Sequence, residues 1–173
     1  MKRINVVGTS CSGKTTLARA IAQRLGLAHV ELDGLFWGVG WEPVPPELFR
    51  SRVANAVAGD RWVLDGGYST VRPLIWDRAD TVVWLDYPMH VVLGRWARRT
   101  VSRVRSGDEF WPGTGNRESW RHALRRGGLL SWIVSTHRRR RRTMLTQLDA
   151  RPELRVIRLR LPSEADRWLR ELG

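Results

Sequence analysis

The segment that most constrains this chain is residues 8–16, GTSCSGKTT, which fits the spacing G-x-x-x-x-G-K-[ST]. The residues before it, 4–7, are mostly apolar and predict a short buried strand. After it, Leu17, Ile21 and Leu25 recur at the spacing of one helix face. A strand, a glycine-rich loop and a helix in this order predict an α/β unit whose loop binds phosphate.

The residue types of this loop suit a polyphosphate. Glycines at 8 and 13 let the backbone curl so that successive N–H groups face one concavity, beside the positive end of the following helix. We expect Lys14 to contact the β- and γ-phosphates of ATP and the Thr15 hydroxyl to bind Mg²⁺. The predicted nucleotide-binding residues of the loop are Gly8, Ser10, Cys11, Ser12, Gly13, Lys14, Thr15 and Thr16.

Length and cysteine content limit what surrounds this loop. The chain has 173 residues, 42% of them hydrophobic, which suits one domain with one core. Cys11 is the single cysteine, which excludes a disulfide framework and a cysteine-based zinc site, and we interpret it as a small loop residue rather than a nucleophile. The sequence has neither a signal-peptide pattern nor an apolar run near the roughly 20 residues of a membrane span, which predicts a cytoplasmic protein.

The chain carries a net charge of +13, almost all of it from arginine. Such a charge favours polyanions, but biased genome composition would also replace lysine by arginine. The charge is densest at five consecutive arginines: Arg138, Arg139, Arg140, Arg141 and Arg142. A run of this kind is either a solvated helix face or a site for nucleic acid.

Two carboxylates follow predicted strands, at the sheet edge where ligands of open α/β sheets bind. Residues 61–65 predict a strand that ends in Asp65, which would hold Mg²⁺ directly or through water, or would be a turn aspartate before glycine. Residues 28–32 predict a strand that ends at Asp33, which would orient an acceptor hydroxyl, or form an Asx turn or helix cap. We interpret His29 as a residue of the strand edge.

An aromatic, glycine-broken loop is predicted at residues 35–41. Its Trp37 and Trp41 would either wall an acceptor pocket or cover the core. Arg50, on the helix that follows, and Arg72, after the next strand, are candidate ligands of the acceptor or of its phosphate.

A predicted helix over residues 88–103 places Arg95 and Arg99 four residues apart on one face. The two guanidinium groups would grip a phosphate, and one would also stack on a base; otherwise this is a solvated face. The glycine-containing segment at about 104–118 predicts a lid that closes over the reacting phosphates and delivers Arg117. The alternative is an ordinary connecting loop.

These segments together predict one fold class. Strands are expected at residues 4–7, 28–32, 61–65, 81–85 and 154–159, and longer helices at 46–57, 88–103 and 118–148, the last broken at the glycine pair 127–128. Alternating strands and helices predict a three-layer α/β domain with a five-stranded parallel sheet in the order 2-3-1-4-5.

The chain resembles the adenylate-kinase-like group of P-loop phosphotransferases, and especially small bacterial members named for DNA topology modulation. The resemblance is carried by residues 8–16, 63–68 with Arg72, 95–99, 115–118 and 158–162. It implies that Arg72 binds an acceptor phosphate, that Arg95 and Arg99 stack on adenine and hold phosphate, and that the lid supplies Arg117 and Arg121.

From these residues we expect Mg²⁺- and ATP-dependent phosphoryl transfer to a small acceptor. Lys14, Asp65, Arg99 and Arg117 are the predicted catalytic residues, and Thr15 and Asp65 the predicted metal ligands. The acceptor region is about 33–60. A phosphate acceptor would need mainly arginines, whereas a hydroxyl acceptor would benefit from Asp33 as a base. The rival hypothesis is a nucleotide-regulated nucleic-acid-binding protein that uses residues 138–142.

Overall fold

The structure, a computed structural model, describes residues 1–125 and 127–172. Its strands are β1 (Arg3–Gly8), β2 (Ala28–Glu31), β3 (Trp62–Asp65), β4 (Thr81–Leu85) and β5 (Arg155–Leu159). Its helices are α1 (Lys14–Leu25), α2 (Leu32–Phe36), α3 (Pro46–Ala56), α4 (Arg72–Trp76), α5 (Met89–Ser106), α6 (Trp120–Leu124), α7 (Leu129–Asp149) and α8 (Pro162–Glu171). None of these helices combines the length and apolar character needed to cross a bilayer.

The strands form one parallel sheet in the order β2-β3-β1-β4-β5, which confirms the predicted fold class. β1 is central, with Val6 paired to Asp65 of β3 on one side and to Val83 of β4 on the other. Because all strands run the same way, their carboxyl ends meet at one edge of the sheet. The glycine-rich loop leaves β1 at that edge, between the strands where the chain changes direction across the sheet.

Each face of the sheet is covered by its own apolar cluster. In β1, Ile4 and Val6 belong to one cluster and Val7 to the other, as the two-residue period of a strand requires. Helices α1, α5 and α8 contribute to the first cluster, and α3, α4 and the end of α7 to the second. Burial on both faces explains why β3 and β4 are almost continuously apolar.

Helix α7 belongs to both clusters. Ile133, near its start, is fully buried in the first cluster, whereas Met144 and Leu148 are buried in the second. The residues between them therefore pass the carboxyl edge of the sheet, where Arg141 makes an ion pair with Asp86 just beyond β4, with an Nε–Oδ1 distance of 2.9 Å. This crossing brings the middle of α7 to the glycine-rich loop.

A buried asparagine fixes the end of β3 against β1. The Nδ2 of Asn5 donates to the carbonyl oxygens of Leu64, at 3.0 Å, and Gly66, at 3.2 Å, while its Oδ1 accepts from the indole N–H of Trp76 at 3.0 Å. Every polar atom of this buried side chain is thus satisfied. Residue 66 must be glycine, because its φ is +133° and an added Cβ would lie 2.5 Å from the Cβ of Leu32.

The structure differs from the sequence predictions at two short helices. β2 ends at Glu31 and α2 begins at Leu32, so Asp33 lies in the first turn of a helix and residues 35–36 of the predicted loop are helical. α4 lies where the sequence predicts no element. Pro73 suits the first turn of a helix, and Ile75 and Trp76 are its buried residues. Helices of five residues show too little periodicity to be recognised from sequence.

The position of α7 can be tested by stability. We expect Ile133→Ala to lower the free energy of unfolding by about 2–5 kcal/mol, because it leaves a cavity in a fully buried site. Val134→Ala on the same helix is the matched control: Val134 is 54% exposed, so its loss should cost less than about 0.5 kcal/mol. Urea unfolding of both variants measures the difference in the free energy of unfolding. Equal effects would contradict the burial of Ile133 and the path of α7 past the carboxyl edge of the sheet.

Candidate phosphoryl-transfer site

The phosphate loop, residues 8–13, joins β1 to α1. The Ser12 N–H donates to the Thr9 carbonyl at 3.1 Å, which closes the loop into a turn, and Gly13, which precedes α1, has a φ of 93°. Among the described residues no side chain caps α1, so the N–H groups of its first turn remain for a ligand. Burial raises the pKa of the Cys11 thiol, which keeps it protonated, in keeping with a small loop residue.

Arg95 lies directly against the phosphate loop. Its Nη1 donates to the Ser12 carbonyl, and its guanidinium lies over the ring of Tyr87, with 5.0 Å between Cζ and the ring centroid. A Cβ at Gly13 would lie 2.5 Å from the same Nη1, so glycine at 13 provides both the backbone conformation and the room for Arg95. Lys14 points back over the loop, where its Nζ donates to the Thr9 carbonyl at 3.3 Å.

Asp65 links three elements at the edge of the sheet. Its Oδ1 accepts from the Thr15 hydroxyl at 3.2 Å, and its Oδ2 lies 2.7 Å from the Nε2 of His29. The Asp65 side chain is only 3% exposed, so these two contacts fix both carboxylate oxygens. A hydroxyl and a carboxylate oxygen this close together suit Mg²⁺, which prefers oxygen ligands and keeps several of its own waters.

Asp33 lies in the first turn of α2, just beyond β2, and therefore at the same carboxyl edge of the sheet as Asp65. Its Oδ1 accepts from the Tyr68 hydroxyl at 2.7 Å. Burial and the charge of Asp33 raise the pKa of Tyr68 far above its ordinary value, which keeps the phenol protonated as a donor. Burial raises the pKa of Glu31, and the charges of Asp65 and Asp33 raise it further. Three carboxyl groups thus lie near the end of β2 and β3, at the same edge of the sheet as the phosphate loop.

The segment between α5 and α6, residues 107–119, contains most of the predicted lid (about 104–118) and is hydrogen-bonded to the loop that carries Trp41. The fully buried Asn116 accepts from the Trp41 N–H at 2.7 Å and donates to the Gly38 carbonyl at 2.8 Å. The Trp41 ring contacts Phe110, with 4.9 Å between ring centroids. Trp41 thus packs on residues 107–119, and Asn116 joins this segment to the loop before α3.

The two predicted catalytic arginines of α5 and the lid have carboxylate partners. Arg99 lies 3.6 Å from Glu118, which is buried, and its charge opposes the larger effect of burial on the pKa of the Cys11 thiol. Arg117 is 62% exposed and lies 3.6 Å from Glu109. In this structure Arg99 is beside the phosphate loop, while the Arg117 side chain is largely exposed to solvent.

The predicted acceptor arginines differ in position. Arg72 begins α4, where its Nη2 donates to the Gly67 carbonyl at 3.2 Å and its Nη1 donates to the Gln147 side chain. Arg50 is exposed on α3 and makes no hydrogen bond or ion pair with the residues that the structure describes. The structure therefore brings Arg72, and not Arg50, next to the glycines that follow β3.

The arginine run on α7 is divided between the surface and the site. Arg138, Arg139 and Arg142 are exposed, whereas Arg140 is partly buried and Arg141 pairs with Asp86. A cavity of about 20 Å³ between α7 and the phosphate loop is lined by Gly8, Thr9 and Arg140, among others. The run is not the uniform solvated face that the sequence suggests, and no described contact supports a nucleic-acid partner.

Three residues of the site were not predicted from sequence: His29, Tyr68 and Arg140. His29 opposes Val63, two residues before Asp65 on the neighbouring strand, so known strand pairing would have placed it within diagonal reach. Arg140 lies seven residues after Ile133 and four before Met144, on the buried stripe of α7. The spacing of Ile133, Arg140 and Met144 fits one helix face, but a run of five arginines resembles a solvated face in the sequence.

No family model matches the chain. A shikimate kinase of Synechococcus elongatus is 33% identical over 105 residues, which are 52% of this chain and 55% of that protein. A cytidylate kinase of Oleidesulfovibrio alaskensis is 36% identical over 69 residues, 36% of this chain and 30% of that protein. The chain thus spans at most about half the length of these curated relatives.

Solved structures cover nearly the whole chain. A shikimate kinase of Bacteroides thetaiotaomicron has a TM-score of 0.56 and 18% identity, covering 99% of this chain and 96% of its own. A sugar kinase of Janibacter sp. HTCC2649 has a TM-score of 0.53 and 22% identity, covering 98% and 93%. A gluconokinase of Sinorhizobium meliloti has a TM-score of 0.53 and 18% identity, covering 99% and 89%. The chain therefore has the fold of the P-loop kinases, and none of these proteins is named for DNA topology.

Proposed function

We propose that this protein transfers the γ-phosphoryl group of Mg²⁺-bound ATP to a hydroxyl group of a small acceptor. The observation that carries the proposal is the common position of two polar pairs, Thr15–Asp65 and Tyr68–Asp33, beyond neighbouring strands at the phosphate-loop edge. One pair suits a metal and the other suits a hydroxyl compound. The names of the curated relatives and structural neighbours, all kinases of small molecules, support phosphoryl transfer.

The nucleotide would be held mainly by backbone. The N–H groups of residues 8–16 and the Lys14 ammonium would bind the phosphates, and Thr15 and Asp65 would hold Mg²⁺, with Asp65 acting directly or through water. Bound Mg²⁺ supplies charge that offsets the negative charge of the phosphate oxygens. Arg95, stacked between Tyr87 and the phosphate loop, would face the nucleotide base.

Asp33 would receive the proton of the acceptor hydroxyl. Tyr68 donates to its Oδ1, and among the described residues nothing donates to its Oδ2, which is free to accept. As the acceptor oxygen forms its bond to the γ-phosphorus, the bond from that phosphorus to the bridging oxygen breaks, the proton passes to Asp33, and ADP leaves. Arg99, beside the loop, and Arg117, delivered by the lid, would stabilise charge on the transferring group.

Lys14 tests the phosphate loop. We expect Lys14→Ala to lower ATP-dependent turnover by roughly 100-fold or more, as loss of a charge-stabilising donor does elsewhere. Lys2, exposed at the start of the chain, is the only other lysine, so Lys2→Ala is the matched control. Coupled-assay turnover is measured alongside thermal unfolding. Unchanged turnover in folded Lys14→Ala protein would refute the site.

Arg117 tests the lid. Its side chain is largely exposed and pairs with Glu109 in this structure, so the proposal requires the lid to move and deliver it. We expect Arg117→Ala to lower kcat by roughly 10- to 100-fold and to change the Kd for ATP much less. Arg105→Ala, at an exposed position near the end of α5, should change neither. An effect confined to the Kd would contradict a role in transfer.

His29 tests the orientation of the Asp65 carboxylate. Because His29 fixes Oδ2, we expect His29→Ala to weaken Mn²⁺ binding in the presence of ADP, and to raise the Mg²⁺ concentration for half-maximal turnover, each by roughly 10-fold. His29→Gln, which retains a donor near the Nε2 position, should restore much of both. The exposed His90→Ala is the control. Unaltered Mn²⁺ binding, measured by electron paramagnetic resonance, would show that His29 acts only in packing.

A further inference from the structure

Arg140 is a partly buried cation without a carboxylate partner. Its guanidinium lies over the ring of Trp132, with 4.6 Å between Cζ and the ring centroid, and it makes no hydrogen bond or ion pair with the residues that the structure describes. The adjacent Arg141 pairs with Asp86 instead. Burial lowers the pKa of Arg140, against the opposing effects of Tyr68 and the Asp33 carboxylate. A guanidinium that is partly removed from water and makes no ion pair is well placed to receive an anionic group of a ligand.

The guanidinium lies between the phosphate loop and the acceptor pair. A Cβ at Gly67 would lie 3.9 Å from its Nη2, and its charge lowers the pKa of Tyr68 against the stronger opposing effects of burial and Asp33. It also lines the cavity of about 20 Å³ beside Gly8 and Thr9. That volume suits a water-sized group, such as one oxygen of a carboxylate or phosphate.

A second guanidinium lies close by. Arg72 donates to the Gly67 carbonyl at 3.2 Å, and burial followed by the charge of Arg140 lowers its pKa. The Nε of Arg72 is buried and has no hydrogen-bond partner in the described part of the chain. Two like charges repel each other more strongly where water is partly excluded, and an anion between them offsets that repulsion. A buried N–H group without an acceptor is a further unfavourable term in the free energy of the unliganded site.

We propose that Arg140 and Arg72 form a binding site for an anionic group, carboxylate or phosphate, carried by the same acceptor whose hydroxyl group meets Asp33. The inference rests on the proposed function, and it narrows the acceptor class to small hydroxyl compounds that bear a negative charge. Neutral polyols and unmodified nucleosides are disfavoured, because they would leave Arg140 without an ion-pair partner and would not neutralise the charge of Arg72.

Matched acceptors separate charge from shape. ATP consumption is measured with glucose, gluconate and glucose phosphate, and with glycerol, glycerate and glycerol phosphate. We expect turnover with a charged member of at least one set to exceed that of its neutral member by roughly 10-fold or more. The carboxylate and phosphate arms identify which anion the site takes. A neutral member that equals or exceeds both charged members would overturn the proposal.

Substitution of Arg140 identifies the site. Arg140→Met keeps the length of the side chain and its contact with Trp132 but removes the charge, and Arg142→Met, exposed on the same helix, is the control. For the charged acceptor we expect Arg140→Met to raise KM by roughly 10- to 100-fold, with the Kd for ATP unchanged. An unaltered KM would show that Arg140 serves only to cover Trp132.

Calorimetry separates this inference from the proposed function. Gluconate and glucose phosphate are titrated into the intact chain with and without a non-hydrolysable ATP analogue. Binding that Arg140→Met abolishes, in a chain that shows no ATP-dependent turnover, would support the anion site and refute the kinase. If the chain turns over ATP but binds neither anionic compound more tightly than glucose, the kinase proposal is supported and the anion site is refuted.

Discussion

The carboxylate of Asp65 is the interaction on which the site depends. Asp65 ends β3, Thr15 begins α1 after the phosphate loop, and His29 lies in β2, so three elements meet at one side chain that is almost completely buried. The parallel sheet makes this meeting possible, because it brings the carboxyl ends of β2 and β3 to the same edge as the loop after β1. Asn5, in β1, donates to the carbonyl groups of Leu64 and Gly66 and so fixes the backbone at the end of β3.

A second buried carboxylate fixes the opposite wall. Asp86, just beyond β4, accepts from Arg158 of β5 at 2.6 Å and from Arg141 of α7. Loss of both arginines would leave the buried Asp86 charge without compensation. Asp86 thereby holds the middle of α7 at the sheet edge, which is what places Arg140 near the phosphate loop and the acceptor pair.

The sequence was sufficient for the fold and for the phosphate loop, and insufficient for contacts between distant segments. The loop, the five strands and their parallel arrangement follow from glycine spacing, apolar runs and the alternation of strands with helices, and crossover rules restrict the possible strand orders. His29 could not be linked to Asp65 from local pattern, because that contact depends on the pairing of β2 with β3. Arg140 was hidden for a different reason: a run of like charges resembles a solvated face, and only the apolar residues before and after it indicate that one side of the helix is buried.

Asn116 has a consequence for how the site empties. One side chain binds the Trp41 N–H and the Gly38 carbonyl, and the Gly40 N–H donates to the Thr114 carbonyl, so residues 107–119 and the loop before α3 are joined by several hydrogen bonds. If residues 107–119 move as the proposed lid, those bonds must break or the loop must travel with them. In the second case the proposed nucleotide and acceptor sites would open together, and release of the two products would be one coupled event.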